Sequence, residues 1–330
     1  MLVSLANAHG TSMVISTFGA RIVELMARDR EDVLGNIVLG HDTEQAYRDA
    51  PGPYFGATVG RIAGRVADGR FIGGGLDFAL APNEGSTHLH GGPLRALDRV
   101  DWDVVAEAGT EDVVALRYVS AAGEEGYPGT LTTTVTFRLT NSDELHLEFL
   151  ATTDAPTPVN LVNHAYFNLS GDASGSIVDH VLMIDSSGIL DADDRLLPLG
   201  EVIGVAGTPY DFRSARRIGD DLPQGGSEPW PGIDSTYILD RSPRPAAVLW
   251  DPMSGRTLEI TTTEPTLQVY TGNRIAEAIG RSGARHGPGK GICLEAHRVP
   301  DSPALPGWPS IVLQPGGQYA QRTVWRLGVR

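Results

Sequence analysis

Hydrophobic and polar residues alternate over many short stretches of this chain. In segment 131–140, LTTTVTFRLT, Val135, Phe137 and Leu139 alternate with threonine and arginine. Segment 144–149, ELHLEF, repeats the pattern, and the intervening Asn-Ser-Asp is a turn signal. Side chains two residues apart share one face of a strand. The two segments are therefore predicted to form an antiparallel hairpin.

The remaining periodicity also favours strands over helices. Further strands are predicted at 113–119, 258–263, 266–270, 292–295 and 323–327, and short helices at 44–49 and 275–279. Strands do not alternate regularly with long amphipathic segments, which disfavours a parallel α/β fold. The prediction is an all-β protein, a large antiparallel β-sandwich with few short helices.

The chain reads as one unit without repeats. Its 330 residues include 40 glycines and 22 prolines, which are spread between short apolar segments and indicate many turns. The Pro/Gly-rich stretches 220–232 and 240–247 are interpreted as loops, and Gly73–Gly75 as a hairpin turn. We expect residues 1–330 to form a single domain.

Charge and cysteine content narrow the function classes. The formal net charge of −15 argues against nucleic-acid binding and against adhesion to anionic membranes. The single cysteine, Cys293, excludes an intramolecular disulfide and zinc sites that need two or more cysteines. The first basic residue is Arg21, so no leader peptide is predicted, and no apolar run reaches membrane-spanning length. We expect a cytoplasmic protein.

Four patches carry candidate chemistry. They are Arg61 and Arg65 with His88 and His90, and the segments NLVNHAYFNLS (160–170), GIDSTY (232–237) and GICLEAHRVPDS (291–302). Arginine and histidine at the ends of a hairpin are suited to binding a small polar ligand. The spacing predicts that His88 and His90 share one strand face.

Each candidate also has a structural interpretation. His164 is either a structural histidine bonded to backbone or a functional imidazole in a polar segment. Glu295 ends the predicted strand as a surface residue, or it is a buried acid with a raised pKa, suited to act as a base near pH 7. Asp234 and His90 are either turn residues or ligand-binding residues.

Other site types fit poorly. His-Leu-His at 88–90 resembles a metal motif, but no glutamate follows it closely, and no metal site is predicted. The chain has no H-E-x-x-H, no G-x-S-x-G and no phosphate loop.

A series of motifs runs along nearly the whole chain: YFGATVGRIAGRV, LHGG, GEEGYPGTL, VNLVNHAYFNLSG, GTPYDFR, GIDSTY, LQVYTGN, GICLEAHRVPDSP and LQPGGQY. In this order, the motifs resemble those of the aldose 1-epimerase (galactose mutarotase) family. The resemblance implies a supersandwich β-fold and an isomerase that acts on a small aldose sugar without cofactor or metal. It does not decide between a monomer and a homodimer.

The resemblance also implies roles for six residues. Glu295 matches the general base that removes the proton of the C1 hydroxyl, and His164 matches the acid that protonates the ring oxygen. The residues that match sugar-binding positions are Arg65, His90, Asp234 and Gln268. Two alternatives stay open: a non-catalytic sugar-binding relative, and an enzyme recruited to a modified sugar or another cyclic hemiacetal.

Three residues depart from the family's usual pattern. Gly64 stands where the family usually has Asn, Ser235 where it often has His, and His297 where it usually has Gln. We therefore expect the catalytic pair to be intact and the sugar preference to differ. The basic stretch RSGARHGPGK (281–290) is either a lid over the site or a solvated surface loop.

Overall fold

The computed structural model describes residues 1–50, 52–107, 112–222, 231–299 and 307–330. Parts of two predicted features, residues 223–230 of a loop and residues 300–303 of a motif, lie outside these ranges. No helix among the described residues is long and apolar enough to cross a membrane.

Strands are the predominant secondary structure of the described chain. They are β1 (Leu2–Ala6), β2 (Ser12–Ser16), β3 (Arg21–Arg28), β4 (Leu34–Asn36), β5 (Thr58–Val59), β6 (Arg65–Val66), β7 (Arg70–Gly73), β8 (Leu76–Ala79), β9 (His88–Leu89), β10 (Asp103–Glu107), β11 (Val113–Ser120), β12 (Leu131–Leu139), β13 (Glu144–Thr153), β14 (Thr157–Pro158), β15 (Val162–Asn163), β16 (Tyr166–Phe167), β17 (Val181–Ile184), β18 (Gly188–Ala192), β19 (Pro198–Gly204), β20 (Arg216–Arg217), β21 (Asp234–Ile238), β22 (Ala247–Trp250), β23 (Arg256–Thr262), β24 (Thr266–Tyr270), β25 (Ala278–Ile279), β26 (Arg285–His286), β27 (Ile292–His297), β28 (Val312–Leu313) and β29 (Tyr319–Val329). The helical elements are α1 (Glu44–Asp49) and the 3₁₀ turns Ala67–Gly69, Leu97–Arg99, Glu124–Gly126, Ile218–Asp221 and Arg281–Gly283.

Two large antiparallel sheets pack face to face. One has nine strands in the order β10-β11-β12-β13-β29-β23-β22-β17-β20, and the other has six in the order β16-β27-β24-β21-β18-β19. Val135 and Phe149 from the larger sheet share one buried cluster with Val269 and Leu294 from the smaller. The predicted all-β sandwich is therefore confirmed.

The alternating segments form strands as predicted. The hairpin of β12 and β13 closes with Leu139 opposite Leu145, and the burial of β12 alternates along its length. The glycine turn at 73–75 joins β7 to β8. The short helix at 44–49 is also confirmed, with the Thr43 side chain accepting a hydrogen bond from the Ala46 amide.

One element was predicted wrongly. Segment 275–279 does not form a helix, because Ala278–Ile279 is a strand that pairs with Arg285–His286. The apolar residues Ile275 and Ile279 match a helical spacing, but a five-residue segment forms too few hydrogen bonds to hold a helix without tertiary support.

Candidate active site

The candidate site lies on the face of the six-stranded sheet that points away from the core. Strand β27 pairs with β24, and β24 with β21, so that Glu295, Gln268 and Thr236 lie side by side across three strands. The alternate residues Leu294 and Val269 point into the core. Period-two alternation thus separates a polar row from an apolar one on the same three strands.

These polar side chains line a cavity of about 410 Å³, a volume within the range of small-molecule sites. All six residues assigned by resemblance are among its lining residues: Arg65, His90, His164, Asp234, Gln268 and Glu295. The structure therefore brings together side chains that are up to 230 residues apart in the sequence.

Glu295 and His164 are in contact at the floor of this cavity. Oε1 of Glu295 lies 3.6 Å from Nε2 of His164, and both side chains are buried. The two backbone bonds of His164, from its amide to the Ala57 carbonyl and from the Gly56 amide to its own carbonyl, fix it between β15 and β16. Its ring also contacts Tyr166, with centroids 5.0 Å apart.

Burial shifts the pKa values of this pair in opposite directions. Loss of solvation raises the pKa of Glu295 to about 8, and the nearby Asp234 carboxylate adds to the rise, whereas Arg65 opposes it. Loss of solvation lowers the pKa of His164 to about 4. Near pH 7 the pair therefore holds one titratable proton, which lies on Glu295, and both side chains are neutral.

Arg65 is held at the side of the cavity by a two-point ion pair. Its Nε donates to Oε2 of Glu84 at 2.6 Å, and a terminal nitrogen donates to Oε1 at 3.0 Å. Arg274 lies 3.6 Å from the same carboxylate. Glu84 thus belongs to the site, although the sequence analysis did not select it. It is 19 residues from Arg65, and the pairing of β6 with β9 helps to bring the two together.

His90 reaches the cavity because the backbone turns there. Strand β9 ends at Leu89, and His90 has a left-handed φ of 53°. The Gly64 amide donates to Nδ1 of His90 at 3.1 Å, which leaves Nε2 as the protonated nitrogen of the neutral ring. Burial, with the neighbouring His164 and Arg65, holds the pKa of His90 well below its ordinary value.

Arg61 and His88, the other members of the predicted patch, do not line the cavity. His88 bonds to the Ala81 carbonyl and the Tyr127 hydroxyl, both at 2.7 Å, so it does not share a face with His90. The left-handed turn at His90 breaks the strand periodicity on which that prediction depended. Arg61 is buried and donates to backbone carbonyls, including those of Pro128 and Gly129.

Asp234 and Gln268 form a hydrogen-bonded chain across the sheet. The Thr236 hydroxyl contacts Oε1 of Gln268 at 2.5 Å, and Nε2 of Gln268 donates to Asp234 at 2.6 Å. Burial raises the pKa of Asp234, although Arg65 and Arg274 oppose the rise. Asp234 begins β21 and is not a turn residue, and Glu295 lies inside β27, which continues to His297.

The three residues that depart from the family pattern all line the cavity: Gly64, Ser235 and His297. Gly64 has φ +88°, a conformation that both glycine and asparagine tolerate. His297 follows Glu295 at strand period, a signal that was available in the sequence. Its Nδ1 contacts the Arg298 carbonyl, and burial lowers its pKa to about 4, so its ring is neutral.

The contacts of His164 do not suit a metal ion. His164, Cys293 and Glu295 have potential ligand atoms within 4.8 Å of one another. However, His164 meets Cys293 through Nδ1, at 3.4 Å from Sγ, and Glu295 through Nε2. Because the two partners contact opposite ring nitrogens, the three groups are not turned toward one centre.

The basic stretch 281–290 does not border the cavity. None of its residues is among the lining residues of the described chain. Arg281 lies 3.5 Å from Glu24 and donates to the Val23 carbonyl, which ties the stretch to the four-stranded sheet of β1–β4. The lid interpretation is therefore not supported by the contacts of this stretch.

The chain is similar over its full length to proteins of one family. The sequence model described as aldose 1-epimerase matches residues 1–326. The galactose mutarotase of Bos taurus is 38% identical over 96% of this chain and 90% of its own. The aldose 1-epimerase of Escherichia coli (strain K12) is 32% identical, over 99% and 94%.

A solved structure agrees with these sequence matches. The GalM/aldose epimerase homologue from C. elegans superposes with a TM-score of 0.91 at 27% identity, and covers 100% of this chain and 99% of its own. The resemblance found in the sequence motifs is therefore confirmed. The chain belongs to the aldose 1-epimerase family of isomerases.

Proposed function

We propose that this protein is a mutarotase that interconverts the α and β anomers of an aldose by opening and closing its ring. The observation that carries the proposal is the contact between Glu295 and His164, 3.6 Å apart on the floor of a cavity lined by hydrogen-bonding side chains. A carboxylate and an imidazole at this separation suit two oxygen atoms attached to the same carbon, each bonded to one of the groups.

The chemistry requires one proton to leave and another to arrive. Glu295 takes the proton of the C1 hydroxyl while His164 donates a proton to the ring oxygen, and the C1–O5 bond breaks. Rotation about C1–C2 exposes the other face of the aldehyde, and the ring closes with the two groups exchanging roles. Each positioned acid or base contributes about 10²- to 10⁴-fold in rate.

The opposed pKa shifts of Glu295 and His164 leave the pair with the one proton that this exchange requires. With the pKa of Glu295 raised to about 8 and that of His164 lowered to about 4, one proton is shared by the pair over the intervening pH range. Arg65 favours the ionised form of Glu295. Moving the shared proton from Glu295 to His164 gives the carboxylate base and the protonated acid that ring opening uses.

The remaining polar residues are proposed to bind the sugar hydroxyls. Arg65 and the Nε2–H of His90 are donors, and Asp234 is an acceptor held by Gln268. A sugar-binding relative without catalysis would not need a buried acid in contact with a buried imidazole, whose desolvation is costly. We also propose a cytoplasmic location, which the single buried free cysteine supports.

Because Gly64 and Ser235 lack the larger polar side chains usual in the family, we propose that galactose and glucose are not the preferred sugars. Polarimetry of glucose, galactose, xylose and arabinose, with buffer as the control, tests both statements. Acceleration of at least one sugar is expected. If none is accelerated, the general aldose assignment is wrong. If galactose or glucose is clearly the best substrate, the altered preference is wrong.

A further inference from the structure

The six-stranded sheet opens beside the candidate active site. Strands β18 and β21 pair at Gly188–Ile238 and Ile189–Tyr237. Both strands continue beyond these pairs, β18 to Ala192 and β21 back to Asp234, without a further register pair among the described residues. Residues on both sides of the opening line the same cavity, so that the cavity extends into the gap between the strands.

The far side of this gap is apolar. The apolar residues of β18, β19 and their connection that line the cavity are Ile189, Leu190, Ala192, Leu196, Pro198 and Ile203. Asp191 is the one charged lining residue of this hairpin. Ile203 is 45% exposed. Apolar surface left open to water beside a ligand cavity is stabilised when an apolar group covers it.

The apolar wall lies too far from the catalytic pair for a bare sugar ring to reach both. Three strand intervals separate β27, which carries Glu295, from β18. At a strand spacing of about 4.8 Å, this is roughly 14 Å along the sheet. A pyranose ring bound against Glu295 and His164 therefore ends over β24 and β21. Only a group attached to the distant side of the ring extends to Leu190 and Leu196.

We propose that this enzyme accepts aldoses that carry an apolar substituent on a hydroxyl remote from C1, and that the β18–β19 wall binds that substituent. The inference rests on the proposed mutarotase function. The substituent contacts the wall both before and during ring opening, so its binding lowers KM and leaves kcat nearly unchanged.

Exchange NMR of anomer interconversion tests the proposal with glucose, its 3-O-, 4-O- and 6-O-benzyl ethers, and the disaccharides lactose and maltose. We expect at least one benzyl ether to have a KM about tenfold below that of glucose. The reason is that transfer of part of a phenyl group from water to an apolar wall favours binding by roughly this factor. The disaccharides, which are as long but polar, are expected to gain no more than about twofold.

A pair of variants locates the effect. Leu196 has a left-handed φ of 61°, which asparagine tolerates, so Leu196→Asn makes the wall polar while keeping the backbone. It is expected to raise the KM of the preferred benzyl ether severalfold relative to that of glucose. Leu199→Asn is the matched control, because Leu199 is exposed on β19 and outside the cavity lining. It should leave this ratio unchanged.

The outcomes separate the two proposals. If glucose is turned over but no benzyl ether has a lower KM, the apolar site is wrong and the mutarotase function stands. If lactose or maltose gains as much as the benzyl ethers, the compartment is a polar sugar subsite and the proposal is overturned. If no compound is accelerated, the mutarotase function itself fails and the inference falls with it.

Discussion

At the scale of single residues, burial of Glu295 has a cost that depends on pH. Its pKa is raised in the folded protein to about 8, above the ordinary value of 4.5. The folded state therefore holds a proton that the unfolded state releases, and stability falls as pH rises from about 4.5 to 8.

Glu295→Gln removes this titration. At pH 8 we expect the free energy of unfolding of the variant to exceed that of the wild type by on the order of 2–4 kcal/mol. This difference should shrink toward pH 4.5, below which the wild-type carboxyl group is protonated in both states. Chemical denaturation at several pH values measures it. A constant difference across pH would contradict burial of an ionisable Glu295.

The same pair determines the expected pH dependence of catalysis. The active protein is the form in which Glu295 and His164 together hold one proton. Deprotonation above a pKa of about 8 leaves no acid, and protonation below about 4 leaves no base. The profile of kcat/KM should therefore be bell-shaped, with limbs that belong to the pair. A profile that is flat from pH 4 to 9 would exclude this shared proton.

His164→Asn should remove one of the two transfers and lower kcat by about 10²-fold or more. Asparagine keeps a polar side chain at the contact with Glu295 but cannot carry a proton between two oxygens. Polarimetry of the preferred sugar provides the measurement. Retention of more than about a tenth of the wild-type kcat would argue against His164 as the acid.

The resemblance of the motifs to a known family selected His164 and Glu295, whereas the residues taken alone left each of them a structural interpretation as well. The residue types alone did not separate Arg65 from Arg61 or His90 from His88, and it was the resemblance that assigned Arg65 and His90 to the site. Their roles depend on a left-handed turn and on burial, neither of which has a local signal. Glu84 was missed for the same reason, since its partner is set by tertiary contact.

At the scale of elements, Arg61 connects several loops to the site region. Its guanidinium is buried and donates to the carbonyls of Ser120, Ala121, Pro128 and Gly129. Burial lowers its pKa to about 10. If the Arg61 guanidinium is removed, several backbone carbonyl groups lose their hydrogen-bond donor in an interior that excludes water.

Arg61→Met should lower the unfolding free energy by about 3 kcal/mol or more, since buried acceptors would remain unpaired. Arg117→Met is the control, because Arg117 is exposed on β11 and its loss should cost no more than about 0.5 kcal/mol. Denaturant titration compares the two variants. Equal stability of both would show that Arg61 is not a structural cross-link.

Alternation predicted the long strands well, and tertiary pairing determined their ends. Strand β27 extends two residues beyond the predicted 292–295 because Thr266 and Leu267 of β24 pair with His297 and Ala296. All six residues of β27 are buried, so the burial pattern does not mark the residue at which this strand ends. The polar residues of this strand face the cavity and the apolar ones face the core.

At the scale of the whole molecule, the large sheet and the core support a smaller sheet whose outer face carries the site. Nothing in the local pattern specifies which sheet bears the cavity. That position follows from strand order, since β27, β24 and β21 come from the last third of the chain. The single-domain arrangement of residues 1–330 remains a prediction.

The overall charge predicts how salt affects the rate. A neutral aldose is not steered by the net charge of −15, so its kcat/KM should change by less than about twofold between 0.05 and 0.5 M NaCl. For a uronic acid, the same field is repulsive, and salt should raise kcat/KM. A strong salt dependence of kcat/KM with a neutral sugar would contradict this account, because it would show that long-range electrostatic forces affect turnover of an uncharged substrate.

The most direct measurement compares catalysis with binding in Glu295→Gln. Mutarotation of the preferred aldose is followed by polarimetry, and binding of the same sugar by calorimetry or NMR titration, in the wild type and the variant. The proposed acid–base pair predicts that catalysis falls to the buffer rate while the Kd for the sugar stays within about fivefold. Turnover by the variant near the wild-type rate would contradict it.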